Sequence, residues 1–148
     1  MSTPTSVDEF ICFALYTASH ATSQAYREVL APWDITYTQY LALVVLGAGE
    51  RTVSELGDEL GLDSGTLSPL LRRLESRELV VRERATHDER VVLVSLTDHG
   101  RATRAELISA VACLVPALTS PGDLPSFMSG LREITAGMRE LTTARRAR

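Results

Sequence analysis

Residues 52–97 read TVSELGDELGLDSGTLSPLLRRLESRELVVRERATHDERVVLVSLT. Two short helical patterns come first, joined by Gly61-Leu62-Asp63-Ser64. In the first, Val53, Leu56, Leu60 and Leu62 fall near helical spacing. In the second, Leu67, Leu70, Leu71 and Leu74 recur at i, i+3, i+4 and i+7, which predicts one buried stripe. The period then changes. Residues 79–84 and 91–96 are rich in β-branched side chains, with polar residues 86–90 between them, and this predicts a hairpin. Helix, tight turn, helix and hairpin in that order imply a winged helix-turn-helix, whose second helix enters the DNA major groove.

The face opposite the leucine stripe indicates what that helix could touch. At 100° per residue from Leu67, the outward positions are Gly65, Pro69, Arg72, Arg73 and Ser76, with Thr66 and Ser68 on the flanks and Ser64 at the start. Small hydroxyl residues at a helix start let the backbone approach bases and phosphates, and Arg supplies forked donors for guanine or phosphate. A solvated amphipathic helix with surface arginines is the plainer alternative, and the attached hairpin argues against it. Pro69 lies beyond an ordinary first turn, where it removes a hydrogen bond, so a short or distorted first turn is expected.

The hairpin tip narrows the class. Asp88-Glu89-Arg90, followed by a strand and then Leu96-Thr97-Asp98-His99-Gly100, resembles the wing signature of the MarR family of bacterial transcription regulators, which runs D-x-R, strand, L-T-x-x-G. The resemblance implies that Arg90 enters the minor groove, with Asp88 bracing its guanidinium. A narrow, electronegative A·T-rich groove attracts such an Arg without base reading.

The whole chain is compatible with this. Its 148 residues allow one domain with a proper core, and 45% apolar content with no long apolar run excludes a membrane-spanning reading. No basic region followed by an apolar one opens the sequence, so a cytoplasmic protein is expected. The net charge of −4 is unusual for a nucleic-acid binder, but binding needs a basic face rather than a basic total. Locally, Arg72, Arg73, Arg77, Arg82, Arg84 and Arg90 face Asp63, Glu75, Glu78, Glu83, Asp88 and Glu89, six against six, so the phosphate footprint per subunit should be limited. Cys12 and Cys113 form no C-x-x-C, His20, His87 and His99 are scattered, and no phosphate loop or hydrolase motif occurs. No metal, cofactor or nucleotide is expected.

Ser6 and Glu9 have the spacing of a capping box, which predicts a long helix from there to about Leu30, ended by Pro32. Phe10, Phe13, Ala14, Thr17, Ala21 and Ala25 make its apolar stripe, and Cys12 and Tyr16 share a neighbouring face. Periodicity alone makes Cys12 a small core hydrophobe, since free Cys is among the most buried residue types. On this helix it falls past the first turn, where the dipole has little effect.

Residues 11–16, Tyr26 and residues 35–43 resemble the organic-hydroperoxide-sensing branch of the MarR family, OhrR. So do residues 62–75, Leu62-Asp63-Ser64-Gly65-Thr66-Leu67-Ser68-Pro69-Leu70-Leu71-Arg72-Arg73-Leu74-Glu75, including the odd proline. The broader family fit runs from about 8 to 142. The resemblance implies that Cys12 is the peroxide sensor, with Tyr26 and Tyr37 donating hydroxyls to it from the partner subunit. The chemistry is coherent, because the thiolate is the nucleophile and phenol O–H donors stabilise it. Ordinary interface packing is the plainer role for the two tyrosines. OhrR proteins divide into those that use a small thiol and those with a resolving cysteine in the fifth-helix region. Cys113 falls in that region, within apolar Ala112-Cys113-Leu114-Val115 that could also bury an inert thiol.

Further helices are expected from Thr36 (capped by itself or Asp34) to about Leu46, from Asp98 to about Val115 before Pro116, and near the end with Leu124, Phe127, Met128, Leu131, Ile134, Met138 and Leu141. The fold class is mostly α with a small β-hairpin, a MarR-like winged-helix dimer. Residues 1–148 form one domain, with about 52–97 binding DNA and about 6–46 and 98–143 forming the helical dimerisation part. The implied function is a homodimeric repressor, not an enzyme, that reads a pseudo-palindromic double-stranded operator and releases it when an organic hydroperoxide oxidises Cys12. A repressor released by a non-oxidising phenolic ligand, with Cys12 inert, is the alternative. A thiol peroxidase is a further rival, without a supporting motif.

Overall fold

A computed structural model of the chain describes Val7 and residues 10–86, 88–119 and 122–146, the side chains of Glu89 and Arg146 excepted. Helix α1 spans Ile11–Leu30, followed by a 3-10 turn Ala31–Trp33 with Pro32 inside it. Helix α2 is Tyr37–Leu46, strand β1 Arg51–Thr52, α3 Val53–Leu60 and α4 Ser64–Ser76. Strands β2, Val80–Ala85, and β3, Asp88–Leu96, lead to α5, Asp98–Val111. These elements fall in one compact unit, residues 1–112. A second unit, residues 113–148, holds the short α6, Val115–Leu118, and α7, Leu124–Arg146.

The helix-turn-helix forms as its residues dictate. Thr52 caps α3 in a reciprocal box with Glu55: the Glu55 N–H donates to the Thr52 hydroxyl at 3.1 Å, and the Thr52 N–H to the Glu55 carboxylate at 2.8 Å. Gly61 ends α3 at φ +66°, a conformation glycine adopts without Cβ strain. Asp63 then caps α4 by accepting from the Thr66 N–H at 2.8 Å. Leu67, Leu70, Leu71 and Leu74 are all buried, as their spacing predicts, and join Leu43, Leu56, Leu79, Val94 and Leu107 in the core.

Several expectations need correction. The Ser6–Glu9 capping box lies outside the described residues, and regular α-helix begins at Ile11 with Phe10 as an N-cap that makes no side-chain bond. Cys12 is therefore the second residue of α1, inside the first turn. Thr36 alone caps α2, in a box with Gln39, while Asp34 sits in the left-handed region at φ +51° and closes the 3-10 turn. Helix α4 passes continuously through Pro69 without a distorted first turn. The ring deprives only the Gly65 carbonyl of its donor, and Gly65 is exposed. Pro116 starts α6 instead of ending α5, because Pro fits a first helical turn whose N–H groups have no partner anyway.

The sheet has three strands in the order β1-β3-β2, all antiparallel. Strand β1 was not expected, and it pairs Arg51 with Val94 and Thr52 with Leu93. Strand β3 reaches back to Asp88, so Asp88, Glu89 and Arg90 belong to the strand and not to the polar connection. The ladder is irregular at Arg84/Ala85 near that end. No single described helix is long and apolar enough to cross a membrane.

Candidate nucleic-acid interface and thiol site

All five outward positions of α4, Gly65, Pro69, Arg72, Arg73 and Ser76, are exposed, as are Ser64 and Thr66, while Ser68 is half-buried on the flank. Arg90 is exposed near the wing tip. Asp88 accepts a hydrogen bond from the backbone N–H of Arg90 at 2.9 Å, so it holds the strand end and not, as expected, the guanidinium.

The even local charge balance separates by use. Arg82 bonds Glu75 through both Nε, at 2.9 Å, and Nη2, and that contact holds the Glu75 carboxyl below its ordinary range. Arg77 donates to the backbone carbonyls of Asp34 at 2.7 Å and Trp33 at 2.6 Å, tying the end of α4 to the α1–α2 corner. Arg51 pairs with Glu59 at 2.8 Å. Arg72, Arg73 and Arg90 make no ion pair with a described residue, so these three guanidinium groups are available to a ligand. Sequence reading grouped Arg77 and Arg82 with them; Arg77 is spent on backbone carbonyls, whereas Arg82 bonds Glu75 through Nε and Nη2 and keeps Nη1 outside that pair.

Cys12 and the two candidate tyrosines lie apart within one chain. Tyr26 on α1 and Tyr37 on α2 pack ring on ring, centroids 4.4 Å apart, and Tyr40, which sequence reading passed over, adds a third ring 5.6 Å from Tyr26. Burial first, then the neighbouring Tyr26, raises the Tyr37 phenol above its ordinary pKa; Tyr40 is raised by burial and by both other tyrosines, with Arg104 opposing. Tyr37 and Tyr40 accordingly remain protonated donors at neutral pH. Cys12 is exposed, fourteen residues before Tyr26 on the same helix, or about 21 Å along its axis. Cys113, in the second unit, is exposed in a 3-10 turn, Ala112–Leu114. Among the described residues, no group of three or more His, Cys, Asp or Glu side chains could hold a metal ion.

A capped helix-turn-helix followed by a paired wing, with arginines on both that form no ion pair with a described residue, defines a winged-helix DNA-binding transcription regulator. The SarA/Rot transcriptional regulator family matches residues 24–107. TtmR, an HTH-type regulator of Methylorubrum extorquens, is 50% identical over 105 residues, which cover 70% of this chain and 54% of that protein; the chain thus spans about half of that relative's length. The organic hydroperoxide resistance transcriptional regulator of Bacillus subtilis is 39% identical over 123 residues, 82% of this chain and 84% of that one. Reduced AbfR bound to DNA, a structure of a Staphylococcus epidermidis protein, matches at a TM-score of 0.77 and 31% identity, covering 89% and 92% of the two chains. The chain belongs to the SarA/Rot-type winged-helix regulators, and its structural neighbours are regulators of the MarR and OhrR type. These are DNA-binding proteins, not enzymes.

Proposed function

We propose that the protein is a cytoplasmic, homodimeric repressor that binds a pseudo-palindromic operator when reduced and leaves it when an organic hydroperoxide oxidises Cys12. The observation that carries this reading is the placement of Cys12 against the tyrosine pair. About 21 Å of helix keeps Cys12 from Tyr26 of its own chain, so a thiol there can receive the phenol donors only from a second copy. Residues 6–46 and 98–143 supply the dimerisation part in this reading. In the first unit Phe10, Ile11 and Tyr16 are exposed, and in the second Phe127, Met138 and Leu141, apolar side chains that a second copy would cover in this reading.

The chemistry follows from the residues. The Cys12 thiolate attacks the outer peroxide oxygen and the O–O bond breaks. Sulfur is oxidised to the sulfenic acid, and the departing alkoxide takes a proton to leave as alcohol. The Tyr26 and Tyr37 hydroxyls add donors to the thiolate. The sulfenic acid then condenses with the Cys113 thiol of the partner, or with a small thiol, forming S–S and releasing water. Bacillus subtilis carries a hydroperoxide-resistance regulator of related sequence, and AbfR, a regulator of related fold, has been captured on DNA in reduced and overoxidised forms.

On the DNA side, Ser64, Gly65, Thr66, Ser68, Pro69, Arg72 and Arg73 face the major groove and Arg90 the adjacent minor groove, with Asp88 holding the strand end that presents it. A second reading, release by a non-oxidising phenolic ligand, is favoured by one feature, a groove of about 620 Å³ beside Tyr37 that His20 and Arg27 also line. A gel shift on the chain's own promoter, with and without an organic hydroperoxide, for wild type and Cys12→Ser, decides between them. Peroxide should release the wild type and not the variant. Retention of both proteins, with release by a phenol instead, overturns the redox reading.

A further inference from the structure

Between α3, α4 and the wing lies an open cleft of about 440 Å³. Thr52, Ser54, Ser68, Arg82 and Arg90 supply its polar walls, and among the described residues no carboxylate lines it. In a chain of net charge −4, whose charges near the interface balance, such a wall is a local positive spot. Glu55 is drawn away into the capping box with Thr52, and Glu75 is engaged by Arg82.

The cleft's position gives it an occupant. On the reading above, α4 lies in the major groove and Arg90 in the neighbouring minor groove. One sugar-phosphate strand separates adjacent grooves, and it must cross the surface between α4 and the wing, which is this cleft. We propose that the cleft seats a phosphodiester of that strand, held by Ser54, Ser68 and Arg82 without reading sequence. Ser54 is exposed on the α3 side and Ser68 half-buried on the α4 side. Arg82 offers Nη1, since only its Nε and Nη2 bond to Glu75. Phosphate contacts of this kind fix register on the duplex and raise affinity for every sequence alike.

The test measures binding of the full-length protein to its promoter duplex and to an unrelated duplex of equal length, over a range of salt. Ser54→Asp places a carboxylate in the cleft, and Asp suits the first turn of a helix, so folding should persist; thermal unfolding checks it. The variant should lose roughly tenfold in affinity for both duplexes, the scale of one charged hydrogen bond. Ser54→Ala should lose less in the same proportion. Arg82→Gln should reduce the slope of log affinity against log salt by about 1. Wild-type affinity in Ser54→Asp overturns the proposal, as does a loss confined to the promoter duplex, which would mean that the cleft reads bases. Arg90→Ala is measured in parallel, because the inference rests on the groove assignment. Weakening by Arg90→Ala with none by Ser54→Asp rejects the cleft alone, whereas no effect of Arg90→Ala rejects the assignment beneath it.

Discussion

Gly100 lies so close under the carbonyl of Leu79 that a Cβ on it would stand 1.9 Å from the oxygen. The same carbonyl accepts from the Thr97 N–H at 3.2 Å. The Thr97 hydroxyl donates to the Glu78 carbonyl at 2.5 Å and accepts from the Gly100 N–H at 2.9 Å, capping α5. The Leu-Thr-x-x-Gly end of the wing signature thus has a mechanical meaning. It docks the start of α5 on the start of β2 and holds the wing to the helical part.

Gly100→Ala should therefore destabilise the fold by about 1–3 kcal/mol, the usual scale of a forced overpacking. The contact is with backbone, which gives way less readily than a side chain. Urea unfolding followed by circular dichroism measures the shift. An unchanged midpoint would show that α5 can retreat at no cost.

Arg90→Ala should weaken operator binding by about 1–3 kcal/mol, the range of a specific groove contact, and leave the fold intact. Arg90 is exposed and its guanidinium has no described ion-pair partner, so little packing depends on it. Fluorescence anisotropy with the promoter duplex, beside a thermal melt, measures both effects. Full affinity in a normally folded variant rules out the minor-groove role.

Tyr26→Phe and Tyr37→Phe should each slow the oxidation and alkylation of Cys12 at neutral pH and leave DNA binding by the reduced protein in place. Each change removes one hydroxyl and keeps the ring packing. Alkylation rate against pH is the readout, and curves identical to wild type in both variants would reduce the pair to packing. The protein's own pH dependence has a definite sign. Because Tyr37 and Tyr40 have raised pKa values in the fold, what they contribute to stability is complete below the unfolded value of 10.0 and declines as pH rises through the higher folded values. Ultraviolet titration of the phenols should show this late ionisation.

Peroxide treatment should produce a covalent dimer on non-reducing gels, and Cys113→Ser should abolish it. The two Cα atoms must come within about 7 Å for the bond to form, so oxidation has to move the dimer and with it the spacing of the two α4 helices. Should Cys113→Ser still leave DNA reversibly after peroxide with no added thiol, Cys113 has no resolving part.

Periodicity alone placed Leu67, Leu70, Leu71 and Leu74 in the core and Arg72 and Arg73 on the outside, and the structure agrees at every one of these positions. The turn at Gly61 and the hairpin were also legible, because each depends on residues near one another in the chain, whereas the cap of α2 was left open between Thr36 and Asp34 until the structure placed it at Thr36. Tertiary structure decided the rest. Arg77 and Arg72 look alike in the sequence, yet Arg77 is spent on carbonyls 43 and 44 residues away, and no local pattern records such a partner. Strand β1 has only two residues and exists because β3 offers it an edge. The 4.4 Å approach of Tyr26 to Tyr37 is made by the chain turning back through Pro32 and the left-handed Asp34. Which cation faces DNA and which two rings meet are settled by contacts between elements distant in the chain, whereas helix and strand patterns are settled by neighbours, and only the latter are written in residue order.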